Sequence, residues 1–163
     1  MQRVVIYGVT FDVVNKQPIV LLRTEGTNRF LPIWIGNAEA LAILSHLKGT
    51  RPERPMTHDL LATVVSDLQA EVVQIAVTEL RDATFHAKIV LRADSRTVEI
   101  DCRPSDALAL AIRTSAPIFV ADDVIERSAV EMDEDQPDLE NEIEEFRRFL
   151  DDVGPDEFRY SDG

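Results

Sequence analysis

Hydrophobic and polar positions alternate along three early segments of the chain, a period-two pattern that is typical of β-strands. These segments cover residues 2–14, 18–23 and 30–35, and they are rich in β-branched and aromatic side chains. Short polar turns separate them. The pattern predicts an antiparallel three-stranded meander, with Pro32 at an edge or a bulge because proline cannot donate a backbone hydrogen bond.

The hydrophobic period then changes to about 3.6 residues, which predicts two helices. The first covers residues 38–48 with Asn37 as its N-cap, and the second covers residues 57–69 with Thr57 as its cap. Residues 49–56 between them hold two prolines and form a loop. The apolar positions of the two helices are Ala40, Leu41, Leu44 and Leu47, and then Leu60, Leu61, Val64, Val65 and Leu68.

A second set of three strands follows and leads into a third helix. Alternation marks residues 71–80, 85–91 and 97–102, and Pro104 begins a helix that is apolar nearly all round. Such a helix should be buried. Residues 117–120 add a short core strand. Two three-stranded sets and about three helices predict an α+β fold.

The composition of the chain changes after residue 130. Residues 131–136 are an acidic linker, and Pro137 begins an amphipathic helix with the apolar stripe Leu139, Ile143, Phe146 and Leu150. We therefore expect one domain over residues 1–130, followed by an acidic, helical tail over residues 131–163.

Composition narrows the class of protein. The 163 residues are 45% hydrophobic, which is enough to form a core. We expect a cytoplasmic protein that does not enter membranes, because the sequence has neither a long apolar run nor a signal-peptide layout. Cys102 is the single cysteine, which excludes an intrachain disulfide and a cysteine-based zinc site.

The net charge of −13 is unevenly distributed. Residues 122–163 contain 17 acidic and four basic side chains and so carry the whole excess, whereas residues 1–121 contain 13 of each. The average charge therefore says little about what the domain binds. However, the domain also has no basic stripe with interleaved aromatic residues, the pattern typical of nucleic-acid binding.

The standard nucleotide-binding and hydrolase motifs are absent, and we expect no organic cofactor. The candidate catalytic and binding residues instead lie at the starts of the helices. Arg51 and Arg54 precede His58 and Asp59. An imidazole beside a carboxylate and two guanidiniums suits acid–base catalysis near a bound phosphate. Alternatively, Thr57 and Asp59 only stabilise the helix start, with His58 in solvent.

A second polar cluster surrounds the start of the third helix. Arg103, Ser105 and the first backbone N–H groups suit an anion, whereas Asp101 and Asp106 suit a divalent cation. An internal ion pair between Arg103 and an aspartate is the rival interpretation. Glu39 occupies the position equivalent to Asp106 in a weak internal repeat, and the two carboxylates would converge if the two halves of the chain packed together.

We expect no catalytic or binding role for the remaining two histidines and the tryptophan. We expect His46 on a helix surface, His86 on a strand face and Trp34 in the core.

Four motifs together resemble the bifunctional nuclease domain family, from about residue 1 to about residue 130. They are Leu31-Pro-Ile-Trp-Ile-Gly36 with Glu39-Ala40, Arg54-Pro-Met-Thr-His-Asp-Leu60, Asp82-Ala-Thr-Phe-His-Ala87, and Asp101-Cys-Arg-Pro-Ser-Asp106 with the helix that follows. The resemblance implies a curved, mostly antiparallel sheet packed with helices, assembly as a homo-oligomer and, for some members, cleavage of RNA and DNA. The sequence departs from the family at Ala83, where glycine is usual, at His86, where tyrosine is usual, and at Cys102, where a small residue is usual.

Two main functions follow from these observations. In a nuclease acting on RNA or DNA, His58, Asp59 and Asp106 would be catalytic, and Arg54, Arg103 and Ser105 would bind phosphate. Mg²⁺ or Mn²⁺ would then be held by Asp101, Asp106 and Glu39. The alternative is a non-catalytic, oligomeric binding or regulatory module for a small anion or a protein partner. The acidic tail either covers the cleft or only keeps the protein soluble.

Overall fold

The computed structural model of the chain describes residues 1–132, which form eight strands and four helices. The elements are, in order, β1 (Gln2–Asp12), β2 (Gln17–Thr24), β3 (Arg29–Trp34), α1 (Asn37–Leu47), α2 (Thr57–Asp67), β4 (Ala70–Arg81), β5 (Thr84–Ala93), β6 (Arg96–Cys102), α3 (Pro104–Thr114), β7 (Ile118–Val120), α4 (Asp122–Ser128) and β8 (Val130–Glu131). None of the helices in this part of the chain is long and apolar enough to cross a membrane.

The strands form one eight-stranded sheet in the order β6-β5-β4-β7-β1-β2-β3-β8. Each predicted set of three strands is an antiparallel meander, and β7 joins the two sets by pairing antiparallel with β1 and parallel with β4. The predicted α+β class and the mostly antiparallel sheet are therefore confirmed. The short elements α4 and β8 were not predicted. The curvature of the sheet stays a prediction.

Helix α3 lies at the centre of the molecule. Its residues Ala107–Ala111 are all buried, and the helix contacts α1, α2, β4 and β5. This confirms the prediction made from its nearly uniform apolar sequence, because a helix covered on every side needs no polar face. The start of α3 is therefore held in place beside α1 and α2.

Some local predictions for α1 and α2 are wrong. Gly36, not Asn37, is the N-cap of α1, and Met56, not Thr57, is the N-cap of α2. In α1 the buried side chains are Ala40, Ala42, Ile43 and Leu44, because the face against α3 and β2 is rotated away from Leu47. Within α2 only His58 is buried, so most of its apolar stripe faces solvent.

Trp34 is not in the core, because its side of β3 faces outward. The residue is 46% exposed, and its indole N–H donates a hydrogen bond to Asp12 at 3.2 Å. His46 is exposed near the end of α1 and His86 lies on β5, as predicted. The predicted tail helix lies outside the described residues, and the division of the chain at residue 130 stays a prediction.

Candidate active site at the start of helix α3

The sequence Arg103-Pro-Ser-Asp106 begins α3 in a way that holds its polar groups in place. Arg103 is the N-cap with an extended backbone, and Pro104 occupies the first helical position, where its missing N–H costs nothing. Asp106 follows at the third position, where the positive end of the helix dipole favours a carboxylate. Because the rest of α3 is buried, these side chains are fixed relative to the core.

Arg103 joins the starts of two helices. Its Nε and Nη2 atoms donate to the two carboxylate oxygens of Asp106, at 2.8 and 3.1 Å. Nη2 also donates to Oε1 of Glu39, in the first turn of α1, at 2.8 Å. The convergence of Glu39 and Asp106 is therefore observed, and the group between them is a guanidinium.

Gly36 allows Glu39 to reach this position. A Cβ atom at residue 36 would overlap Oε2 of Glu39. The Glu39 carboxylate thus folds back over the N-cap of its own helix, in space that any side chain at residue 36 would take. Glu39 is largely buried there, with a side-chain exposure of 17%.

His58 approaches the same carboxylate from α2. Its Nε2 atom lies 2.9 Å from Oδ1 of Asp106, and its side chain is 11% exposed. Burial opposes ionisation of Asp106, but hydrogen bonds from Arg103 and His58 outweigh it and lower the pKa of this carboxyl below its usual value. An ionised carboxylate only accepts hydrogen bonds, so Nε2 of His58 carries a proton and Nδ1 is the nitrogen that can accept one.

Asp59 bonds Arg113 of α3 and not its sequence neighbour His58. Its carboxylate accepts from Nε of Arg113 at 2.7 Å and from the backbone N–H of Met56 at 2.9 Å. These bonds, the one from Arg113 first, lower the pKa of Asp59 below its usual value. Arg113 also donates to the carbonyls of Ala109, at 2.8 Å, and Ala42, at 3.1 Å. Asp59 and Arg113 therefore hold α1, α2 and α3 together.

An apolar groove of about 610 Å³ opens beside His58, Arg103 and Asp106. One wall is α2 and the other is the β5–β6 hairpin. Cys102 lies in this lining, and burial, followed by the nearby charges of Asp101 and Asp106, raises the pKa of its thiol to about 11. The thiol is therefore protonated at neutral pH and is a poor nucleophile.

Comparison with known proteins agrees with this arrangement of motifs. The family model described as the bifunctional nuclease domain matches residues 20–133. The chain belongs to the bifunctional nuclease domain family. The resemblance found in the sequence motifs is confirmed.

Relatives of this family member fall into two groups. An uncharacterized protein of Mycobacterium tuberculosis strain H37Rv is 35% identical over 165 residues, covering 98% of this chain and 99% of that protein. Bifunctional nuclease 1 of Arabidopsis thaliana is 29% identical over 112 residues, and that of Oryza sativa subsp. japonica is 25% identical over 112 residues. Each of these alignments covers 67% of this chain and 34% of the plant protein.

The bifunctional nuclease fold does not bring together all residues predicted for the site. Ser105 is buried at the second position of α3, and Arg54 is exposed in the loop before α2. Asp101 is exposed on β6, where its strand partner on β5 is Lys88. Asp59 is next to His58 in the sequence but bonds Arg113, and Asp106 is the carboxylate at the His58 ring.

The predicted metal ligands do not fit a metal ion in this arrangement. Arg103 places its positive charge between Glu39 and Asp106, and Asp101 lies apart from this pair on an exposed strand position. Within residues 1–132, no three His, Cys, Asp or Glu side chains form a group that could hold a metal ion. The donor set Asp101, Asp106 and Glu39 is thus not a ligand cluster here. Binding of Mg²⁺ or Mn²⁺ by the protein stays a prediction.

Sequence reasoning missed Arg113. The residue has a side-chain exposure of only 7%, although arginine is almost never fully buried without partners. A single arginine after the run Ala107-Leu-Ala-Leu-Ala-Ile112 was the available signal, since a cation on a buried helix needs an acidic partner.

Proposed function

We propose that this protein hydrolyses phosphodiester bonds in RNA or DNA at the site formed by His58, Asp106 and Arg103. The observation that carries the proposal is the 2.9 Å contact between Nε2 of His58 and Oδ1 of Asp106. A carboxylate in this position orients an imidazole and stabilises it when it becomes protonated. The family's description and the names of the plant relatives add the substrate class.

The proposed hydrolysis uses His58, Arg103 and Asp106, which line the groove. Nδ1 of His58 takes the proton of a water molecule as its oxygen attacks phosphorus, and the imidazolium is stabilised by Asp106. The departing oxygen then gains a proton, which His58 can return. Arg103 uses Nε and Nη2 for its carboxylate partners within residues 1–132, which leaves the two N–H groups of Nη1 for a phosphate oxygen.

Other residues contribute less directly in this proposal. Arg54 adds positive charge from the exposed loop before α2, and Ser105 lies at the helix start where a phosphate would approach. Asp59 acts through Arg113 by holding α2 in place, so it is a positioning residue. No step is assigned to a metal ion, because Glu39 and Asp106 hold Arg103 and Asp101 lies apart from them.

The test is hydrolysis of labelled single-stranded RNA and DNA by the full chain. We expect His58→Gln to lower kcat/KM by about 10²–10⁴-fold, the usual contribution of a general acid–base group. His46→Gln is the matched control, because His46 is exposed near the end of α1. Parallel assays with EDTA, Mg²⁺ and Mn²⁺ test the predicted metal requirement. If His58→Gln were as active as the wild type, this site would be rejected.

A second function is favoured by the charge balance of the site. Arg103 already faces two carboxylates, which leaves the cluster little positive charge to stabilise the transition state of phosphodiester cleavage, so a non-catalytic module for a small anion or a protein partner is the second function. We propose to test this alternative by thermal unfolding with inorganic phosphate. A bound ligand at about 100 times its Kd stabilises by about 2.7 kcal/mol. Stabilisation without hydrolysis of any nucleic acid would support it.

The assembly and location of the protein are also proposals. We propose a homo-oligomer in the cytoplasm. Light scattering of the purified full chain tests the first part, and a monomer at all concentrations would reject it. Cell fractionation tests the second.

A further inference from the structure

The apolar groove is continuous with the proposed catalytic site. His58, Arg103 and Asp106 are among its lining residues, so a molecule in the groove touches the site itself. Beyond them, Leu60 and Val64 of α2 face Leu91 of β5 and Ile100 of β6 across the opening. The volume of about 610 Å³ is within the range of sites that hold small molecules.

The walls of the groove are apolar side chains that remain in contact with water. Leu60 is 57% exposed, Val64 is 45% exposed and Ile100 is 42% exposed. Single exposed apolar residues are ordinary, but neighbouring ones that line one concave surface are typical of a binding site. The groove therefore favours a ligand with an apolar part that can lie against these walls.

The charges near the groove limit how a nucleic acid can bind. Arg103 is held by two carboxylates, and residues 1–121 have equal numbers of acidic and basic side chains. Binding through many phosphate contacts needs a basic surface, so this domain is poorly suited to hold a duplex by its backbone. A duplex also hides the faces of its bases in the stack. An unpaired base exposes both faces and can enter an apolar groove.

We propose that the groove selects single-stranded nucleic acid by taking up one unpaired base. The base lies between the α2 wall and the β5–β6 wall, and its neighbouring phosphate lies at Arg103 and His58. This inference rests on the proposed nuclease function and adds the substrate class. It makes Leu60, Val64 and Ile100 specificity-determining residues, because they contact the base and not the scissile phosphate.

Binding to a fluorescein-labelled single-stranded oligodeoxyadenylate, followed by anisotropy, tests the inference. The comparison ligands are the duplex of the same sequence and the same strand with abasic sites. We expect the single strand to bind about tenfold or more tightly than either, because the duplex and the abasic strand leave the apolar walls of the groove in contact with water. A shallow salt dependence is also expected, because few phosphates are contacted.

Substitutions of α2 residues test whether the single strand binds in the groove. We expect Leu60→Ser and Val64→Ser to weaken single-strand binding about fivefold or more, because each removes apolar surface that the base would bury. Leu68→Ser is the matched control, because Leu68 is 74% exposed at the end of the same helix and does not line the groove. Circular dichroism of each variant checks folding, and all three positions are exposed enough for serine to be accommodated.

Three outcomes would overturn the inference. They are equal affinity for the single strand and the duplex, no effect of abasic sites, and unchanged binding by Leu60→Ser and Val64→Ser. If these variants instead changed the oligomeric state in light scattering while binding persisted, the groove would be a contact between copies of the chain, and the inference would again be wrong.

Different experimental results would reject the proposed function and this inference. Hydrolysis of single strands and duplexes at equal rates would leave the nuclease proposal intact and reject selection by the groove. Tight, base-dependent binding of the single strand without hydrolysis would reject the nuclease proposal and retain the groove as a single-strand site.

Discussion

Nε2 of His58 lies 2.9 Å from Oδ1 of Asp106, although 48 residues separate them in the chain. The contact exists because α2 packs against α3 with the starts of the two helices together. The same carboxylate accepts two hydrogen bonds from Arg103. One acidic group therefore sets both the orientation of the imidazole and the position of the guanidinium, which makes Asp106 the central residue of the site.

Asp106→Asn should abolish most of the proposed activity without unfolding the protein. An amide keeps the shape of the side chain but removes the charge that stabilises a protonated imidazole and pairs with Arg103. We expect kcat/KM for single-stranded RNA or DNA to fall by about 10²–10⁴-fold. Wild-type activity of this variant would remove Asp106 from the mechanism.

Gly36→Ala should act on the site through Glu39. The new methyl group would overlap Oε2 of Glu39, so the carboxylate must shift and its hydrogen bond to Arg103 should weaken. A small displacement of a positioning group costs about 10–100-fold in rate, so kcat/KM should fall within that range. A double-mutant cycle provides the control, since Gly36→Ala should have no further effect in a Glu39→Ala background. Additive losses would show that Gly36 acts by another route.

Arg113→Met should destabilise the fold strongly. The side chain is almost fully buried and bonds Asp59 and the carbonyls of Ala42 and Ala109. Removing it leaves these acceptors without their partner, at a cost of about 2–4 kcal/mol in the free energy of unfolding. Arg92→Met is the matched control. Arg92 and its partner Glu71 are both mostly exposed, so their ion pair should contribute less than about 1 kcal/mol. Urea denaturation measures both, and equal losses would contradict the assignment.

The pairing of Asp59 with Arg113 should make stability depend on acid pH. The pKa of Asp59 is lower in the folded protein than in the unfolded chain, so folding favours its ionised form. Its contribution is therefore complete above the ordinary carboxyl range and is lost as the pH falls through the folded pKa. The difference in the free energy of unfolding between the wild type and Asp59→Asn should shrink from about pH 5 downwards. A difference that grows on acidification would contradict this.

Ala83→Gly should stabilise the β4–β5 hairpin. Asp82 and Ala83 connect the two strands with φ values of +49° and +59°, which the two-residue turns of hairpins require. Alanine is strained in this left-handed conformation by about 1 kcal/mol, whereas glycine is not. Thermal unfolding should show a higher Tm for the variant. Ala38→Gly, in the first turn of α1, is the control and should not raise it.

The local sequence was sufficient for most elements but not for which faces they bury. Period-two and 3.6-residue patterns located both meanders and the helices at Asn37, Thr57 and Pro104, because alternation reflects backbone geometry. Of the five apolar positions of α2, Leu61 and Val65 pack against the core, whereas Leu60, Val64 and Leu68 are exposed. A pattern shows that a face is apolar, whereas its burial depends on whether another element covers it.

The site shows the same division between sequence and structure. Arg103 and Asp106 stood out in the sequence because they lie at the start of a helix that looks buried, and His58 because it lies beside a carboxylate and two arginines. The sequence placed Asp59 next to His58, but adjacent helical residues point in different directions, and Asp59 bonds Arg113 instead. The partner of His58 came from another helix, which no local pattern could show.

The sequence by itself determined the two meanders, the buried third helix, the family motifs and the polar residues from which a site can be built. Only the tertiary structure decided that Arg103 lies between Glu39 and Asp106, which makes the predicted cation site an ion-pair network. Backbone periodicity is encoded within a few neighbouring residues. The relation between Glu39 and Arg103, 64 positions apart, depends on how the helices pack on a shared core.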